Sequence, residues 1–155
     1  MENIWSQGDF AQYTINSGIV IYGRSDATLN PGGIRIGTAE IYRVVESFEE
    51  INESVVVGQI WNDDVRIMLF VTLNSNFKLD QSLISRIEKK IKEATSIRHV
   101  PSKIILVTDI PRTRSGKISE LSVRDTINNI KIKNLEALAN PECLIQYQNI
   151  EELKK

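Results

Sequence analysis

The chain has 155 residues, 41% of them hydrophobic, enough for one packed domain or one small domain with an appendage. With 19 basic against 20 acidic residues it carries no stripe for nucleic acid and no polybasic membrane patch. No apolar run approaches the ~20 residues of a membrane span, Met1-Glu2-Asn3-Ile4-Trp5 lacks a secretory pattern, and the single Cys143 excludes an internal disulfide or a multi-cysteine metal site. A cytoplasmic setting is the expectation.

Residues 11–22 alternate around Tyr13, Ile15 and Ile19-Val20-Ile21-Tyr22, with Asn16-Ser17-Gly18 between, and predict a hairpin. Ile41, Val44, Val45 and Phe48 follow helical spacing, with Thr38 as the cap and Glu40 in the first turn. Val55 to Trp61 and Val65 to Leu73 are apolar, β-branched runs joined by Asn62-Asp63-Asp64, an antiparallel pair with a short turn. Asp80 can cap a helix whose apolar face is Leu83, Ile84, Ile87, Ile91 and Ala94, and Pro101 blocks its continuation. Lys103 to Thr108 reads as a third strand, and a helix follows from about Ser119 to Ile130. Residues 131–155 read as an extended arm with a final short helix. The order predicts an α+β domain, with helices on one side of a small, mainly antiparallel sheet.

Two stretches carry chemistry. In Pro111-Arg112-Thr113-Arg114-Ser115-Gly116-Lys117 a lysine sits at the tip of a strand–loop–helix unit. A compact ammonium there can reach a phosphate or carboxylate, although the same residues read equally as a solvated basic turn. A Walker loop is excluded: Gly116 is the only glycine in this stretch, and Ile118 follows Lys117. Upstream, Gly23-Arg24-Ser25-Asp26-Ala27-Thr28-Leu29-Asn30-Pro31-Gly32-Gly33-Ile34-Arg35-Ile36-Gly37-Thr38-Ala39-Glu40-Ile41 places four glycines in tight turns. Gly8-Asp9-Phe10 precedes it.

Together the three segments resemble the adenylate-forming superfamily of acyl-coenzyme A synthetases, luciferase-like enzymes and peptide synthetase adenylation domains. Asp26 to Tyr42, Arg98-His99-Val100-Pro101 and Asn134 to Glu142 look like the acetoacetyl-coenzyme A synthetase branch. Arg112 and Arg114 depart from that branch and resemble acetyl- and propionyl-type synthetases, and Ile118-Ser119 departs from it as well.

The resemblance implies an enzyme that joins an acid such as acetoacetate to coenzyme A with ATP and Mg²⁺, releasing AMP and pyrophosphate. It implies that residues 1–25 are the terminal hairpin of a large N-terminal domain, 26–130 the mobile C-terminal domain and 131–155 an extension. The chain would then be an excised or truncated C-terminal piece, and its exposed hairpin would borrow a partner or self-associate. Lys117 would be the adenylation lysine, Asp9 and Arg24 ribose contacts, and Asp26 the hinge. Gly33 would line the pantetheine tunnel, Arg35 would face phosphate or coenzyme A, and Lys92 would meet the coenzyme's phosphates. Each has a bland counterpart: a turn residue for Asp9, Asp26 and Gly33, and a solvated charge for Arg24, Arg35 and Lys92. His99, Cys143, Trp5 and Trp61 receive no functional role. The rival expectation is a free-standing binding module without catalysis.

Overall fold

The computed structural model of the protein describes residues 8–24 and 27–154. The expected hinge Asp26 lies outside the described residues. Strands β1 (Asp9–Tyr13) and β2 (Ile19–Arg24) form a two-stranded antiparallel sheet of their own. The connection closes when the Thr14 amide donates to the Gly18 carbonyl at 2.8 Å, with Ser17 at φ 61°. Tyr13, Ile15, Ile19 and Ile21 stand exposed on this hairpin, Ile15 completely so.

Helix α1 (Thr38–Val45), strands β3 (Ile51–Trp61) and β4 (Asp64–Leu73), helix α2 (Gln81–Ala94), strand β5 (Lys103–Leu106) and helix α3 (Glu120–Ile127) build the main body. The sheet order is β3-β4-β5; β3 and β4 pair antiparallel from Ile51↔Leu73 to Trp61↔Asp64, and β5 lies parallel to β4. The fold class is the expected α+β, mainly antiparallel, with one parallel edge. Asp80 caps α2 as expected: its Oδ1 accepts from the Leu83 amide at 2.8 Å. The Thr38 cap does not form; Thr38 is itself helical, Gly37 takes the cap position, and no side chain bonds there.

The expected one-sided arrangement is corrected. Ile41, Val44 and Val45 of α1 and Leu83, Ile87 and Ile91 of α2 pack with Val56, Ile67, Leu69 and Val71 on one face of the sheet. Val55, Val57, Met68 and Phe70 point the other way, onto Val123 and Ile127 of α3. Burial on both faces explains why Ile67 to Val71 is continuously apolar instead of alternating.

The expected extended arm is also corrected: residues 131–154 fold back. They run as short 3₁₀ turns, Leu135–Ala137, Pro141–Tyr147 and Glu151–Lys154, folded onto the second face. Leu138, Leu144, Tyr147 and Leu153 join that core. The fully buried Tyr147 ring meets Phe70 edge-on at 5.0 Å, and its hydroxyl donates to the Asp109 carbonyl at 2.9 Å. The Leu153 carbonyl accepts from Gln59 Nε2 at 3.0 Å and Arg66 Nη2 at 2.7 Å, tying the tail to the sheet near the β3–β4 turn. Among the described residues no helix is long and apolar enough to cross a membrane.

Candidate active-site faces

The lysine loop is a miniature hairpin. Arg112 and Ile118 bridge antiparallel, the Thr113 amide donates to the Lys117 carbonyl at 2.8 Å, and the Gly116 amide donates to the Thr113 carbonyl at 2.8 Å. Gly116 sits at φ 82°, where a Cβ would be strained even though nothing crowds it. Lys117 is exposed at the end of this turn. It lines a cleft of about 400 Å³ with Ala27, Thr38, Thr113, Ser119 and Glu120.

The loop is fixed from two directions. The C-terminal segment pairs alongside it: Thr113 bridges Leu138, the Arg114 amide donates to Ala137 at 3.1 Å, and the Ala139 amide donates to Arg112 at 2.8 Å. From the sheet side, Arg112 Nη2 is paired with Glu53 Oε1 of β3, while Nη1 donates to the Gly116 carbonyl at 2.6 Å. Just behind, the Tyr42 hydroxyl donates to Glu120 Oε1 at 2.6 Å and accepts from the Val56 amide at 3.0 Å. Burial first, and then the Glu120 charge, push that phenol well above its usual pKa, so it stays protonated and joins α1, β3 and α3.

The glycine loop is built by the same device. Leu29 and Ile36 bridge antiparallel, with Leu29 N to Ile36 O at 3.0 Å and Ile36 N to Leu29 O at 2.9 Å, and both side chains are buried. Gly32 at φ 57° and Gly33 at φ 78° turn the chain between them. A Cβ on Gly33 would meet nothing within 4 Å, so within this chain the glycine is demanded by backbone conformation and not by crowding. Both carboxylate oxygens of Asp64, in the β3–β4 turn, accept from the Gly32 amide, at 2.9 and 3.1 Å. The Val65 and Gly32 amides hold the Asp64 carboxyl below its usual pKa.

Arg35 is exposed beside this loop and lines a second cleft, of about 390 Å³, with Thr28, Gly37, Glu40, Ser96 and His99. His99 is a tie there: Nε2 lies 2.7 Å from Glu40 Oε2 and Nδ1 2.9 Å from Ser96 Oγ, linking α1 to the segment after α2.

The remaining expected residues fall into place unequally. Asp9 and Arg24 are direct cross-strand partners in the hairpin, so the backbone brings them together. Lys92 is exposed in the last turn of α2. Lys117 and Arg35 line different clefts, and the chain from Ala27 to the start of α1 contributes to both: Ala27 and Thr38 to one, Thr28 and Gly37 to the other. Among the described residues no His, Cys, Asp and Glu side chains cluster as metal ligands would. Sequence reasoning missed Glu53, Asp64 and Asn140, whose Oδ1 accepts from the Arg112 amide at 2.8 Å, and took Arg112 only as a departure from pattern. The one local signal was a charged residue inside the β3 run and at the β3–β4 turn.

The AMP-binding enzyme C-terminal domain family matches residues 40–117, from Glu40 beside the glycine loop to Lys117 itself. The chain belongs to this family. It is 56% identical over 153 residues to the acetoacetyl-coenzyme A synthetase of Rhizobium meliloti (strain 1021), covering 99% of this chain and 24% of that protein. It is 42% identical to the acetoacetyl-CoA synthetase of Gallus gallus, covering 97% of this chain and 23% of that protein. Among solved structures, acetoacetyl-CoA synthetase from Streptomyces lividans superposes with a TM-score of 0.85 at 34% identity, over 97% of this chain and 23% of that one. The chain therefore spans about a quarter of the length of these relatives, and likeness to them runs well beyond the matched domain.

Proposed function

We propose that this chain is the mobile C-terminal part of an AMP-forming acetoacetyl-coenzyme A synthetase. The full-length enzyme activates acetoacetate, with a carboxylate oxygen attacking the α-phosphorus of ATP while the bond to pyrophosphate breaks. The coenzyme A thiol then loses its proton and attacks the acyl carbon, and AMP leaves. The observation that carries the reading is Lys117, exposed on a loop braced on two sides, in a chain 56% identical to such a synthetase. Its ammonium bridges the substrate carboxylate and the α-phosphate, placing charge where the transition state develops it.

The glycine loop serves the second step. The domain turns about Asp26, Lys117 withdraws, and Gly33 and Arg35 face the incoming thiol and phosphate, with Lys92 toward the coenzyme's phosphates. Asp9 and Arg24, adjacent in the hairpin, hold the ribose hydroxyls, because a carboxylate accepts two hydroxyl bonds and a guanidinium donates several. The exposed apolar residues of the hairpin pack on the large domain, or in its absence on a second copy of the chain. Mg²⁺ travels with the ATP phosphates; this chain is given no ligand for it. The enzyme works in the cytoplasm.

The test is acid-dependent AMP formation by the full-length protein with ATP, Mg²⁺ and coenzyme A. Acetoacetate turned over with the highest kcat/KM supports the reading. Preference for acetate or propionate would move it to the neighbouring branch that Arg112 and Arg114 resemble. No AMP with any short acid would favour a non-catalytic module.

A further inference from the structure

Resting on the reading of Lys117 as the adenylation lysine, we infer that Arg112 and Glu53 form a clamp that positions Lys117, and that they act on adenylation alone. Arg112 is the junction of everything that holds the loop. Its guanidinium pairs with Glu53 of β3 and donates to the Gly116 carbonyl at 2.6 Å, next to Lys117. Its backbone amide donates to Asn140 Oδ1 at 2.8 Å, and its carbonyl accepts from Ala139 at 2.8 Å. A planar fork can hold a carboxylate and a carbonyl at once, which a lysine ammonium at that position would do without fixed geometry.

The surroundings strengthen the clamp. The cleft of about 340 Å³ around Arg112 is lined by Glu46, Glu53 and Glu120 together with Tyr42 and Ser54, and among the described residues Arg112 is the one basic residue lining it. A positive side chain there has a settled orientation. Both partners are about one third exposed, 34% for Arg112 and 29% for Glu53, so the pair is only partly screened. The loop it holds is otherwise exposed from Arg114 to Lys117, with no apolar side chain to anchor its tip. Without the fork, the turn keeps its backbone bonds to the C-terminal segment but loses its tie to the sheet. Neither residue touches the reacting atoms; both are positioning residues.

The experiment uses the full-length enzyme with Arg112→Gln, Glu53→Leu and the double variant. Two readouts are taken: the separate rates of adenylate formation and of thioester formation from supplied acyl-adenylate, and amide hydrogen exchange in the loop and in α2. Misplacement of a positioned group costs up to about 100-fold. Arg112→Gln is expected to slow adenylation about 10- to 100-fold, leave the thioester step within about 2-fold, and speed exchange at the Thr113 and Gly116 amides. Exchange in α2 should not change, which shows that the domain is still folded. The double variant should be no slower than the worse single variant, because both remove one clamp. Equal loss in both half-reactions, unchanged exchange at Thr113 and Gly116, or losses that multiply in the double variant would each overturn the inference. If Lys117→Ala itself shows no preference for adenylation, the underlying reading fails; loop exchange, which needs no turnover, tells that failure from failure of the clamp.

Discussion

The glycine loop and the lysine loop are the same construction with opposite polarity. Each is a short turn closed by one antiparallel bridge, Leu29↔Ile36 or Arg112↔Ile118, with glycine in the left-handed region. Each is held by the β3–β4 ribbon. At the glycine loop the ribbon supplies an acceptor, Asp64, for a loop amide. At the lysine loop it supplies Glu53, which acts through Arg112 as a donor to a loop carbonyl. Glu53 lies near the start of β3 and Asp64 at the far turn, so the anchors are separated by most of the ribbon, roughly 25 Å at strand rise. One stiff ribbon thus fixes two chemically different faces. The loops differ in support: the glycine loop buries its own Leu29 and Ile36, whereas the lysine loop leans on the C-terminal segment. The proposed rotation, offering one face or the other, would need both faces pre-set, and the ribbon would meet that need.

Under the proposed function, the largest effect expected is from testing the chain by itself. The 155-residue chain alone should form no AMP above background from acetoacetate, ATP and coenzyme A, because two braced loops without a substrate pocket position nothing. Turnover by the isolated chain would mean that the loops are not half-sites. Next is Tyr147→Ala, aimed at the lysine loop's brace. Emptying a fully buried aromatic site beside Phe70 should cost about 3–5 kcal/mol in urea unfolding. A loss below about 1 kcal/mol would show that the tail is peripheral to the fold.

The sequence shows why this brace was the hardest part to read. The ribbon is legible because β-branched runs flank Asn62-Asp63-Asp64, and α2 because Asp80 precedes an apolar face at helical spacing. Lys117 is legible as the end of a glycine turn after an apolar run. The two-sided packing was present in the unbroken apolar run of β4 but could be read as either one or two covered faces. Leu135–Ala137, Pro141–Tyr147 and Glu151–Lys154 form 3₁₀ turns, which leave no 3.6-residue period. The anchors are long-range: Glu53 and Arg112 are 59 positions apart, and Gly32 and Asp64 are 32 apart. No local pattern encodes such pairs.

Asp64→Ala sharpens the comparison from the other side. It removes the charged acceptor that the ribbon turn offers the glycine loop, and should slow thioester formation by roughly 3- to 10-fold, well short of the 100-fold limit for misplacement, with adenylation unchanged. Equal slowing of both steps would make the ribbon a general scaffold.

Two smaller effects concern protonation. The amides of Val65 and Gly32 depress the Asp64 carboxyl, so its contribution is present above the ordinary carboxylate value near 3.9 and is lost as pH falls below it toward the folded value. Protection of the Gly32 amide should therefore hold between pH 7 and 5 and fall under about pH 4; loss between pH 7 and 5 would contradict the assignment. Burial pushes the Cys143 thiol up to about 11, ahead of the charges of Asp109 and Glu142. Alkylation of Cys143 at pH 8 should be slow in the folded protein and fast in urea, so its rate reports opening of the tail. Rapid labelling without urea would place the tail off the core.

The most direct test is the pair of half-reaction rates of full-length enzyme with Lys117→Ala. Adenylate formation should fall about 100- to 1000-fold, the usual loss when a transition-state charge contact is removed, while thioester formation from supplied acyl-adenylate stays near the parent rate. Lys117→Arg should behave like Lys117→Ala, because a wide planar guanidinium does not replace a compact ammonium. An equal loss in both half-reactions would show that Lys117 serves both steps, and the assignment of the two loops to two reactions would be wrong.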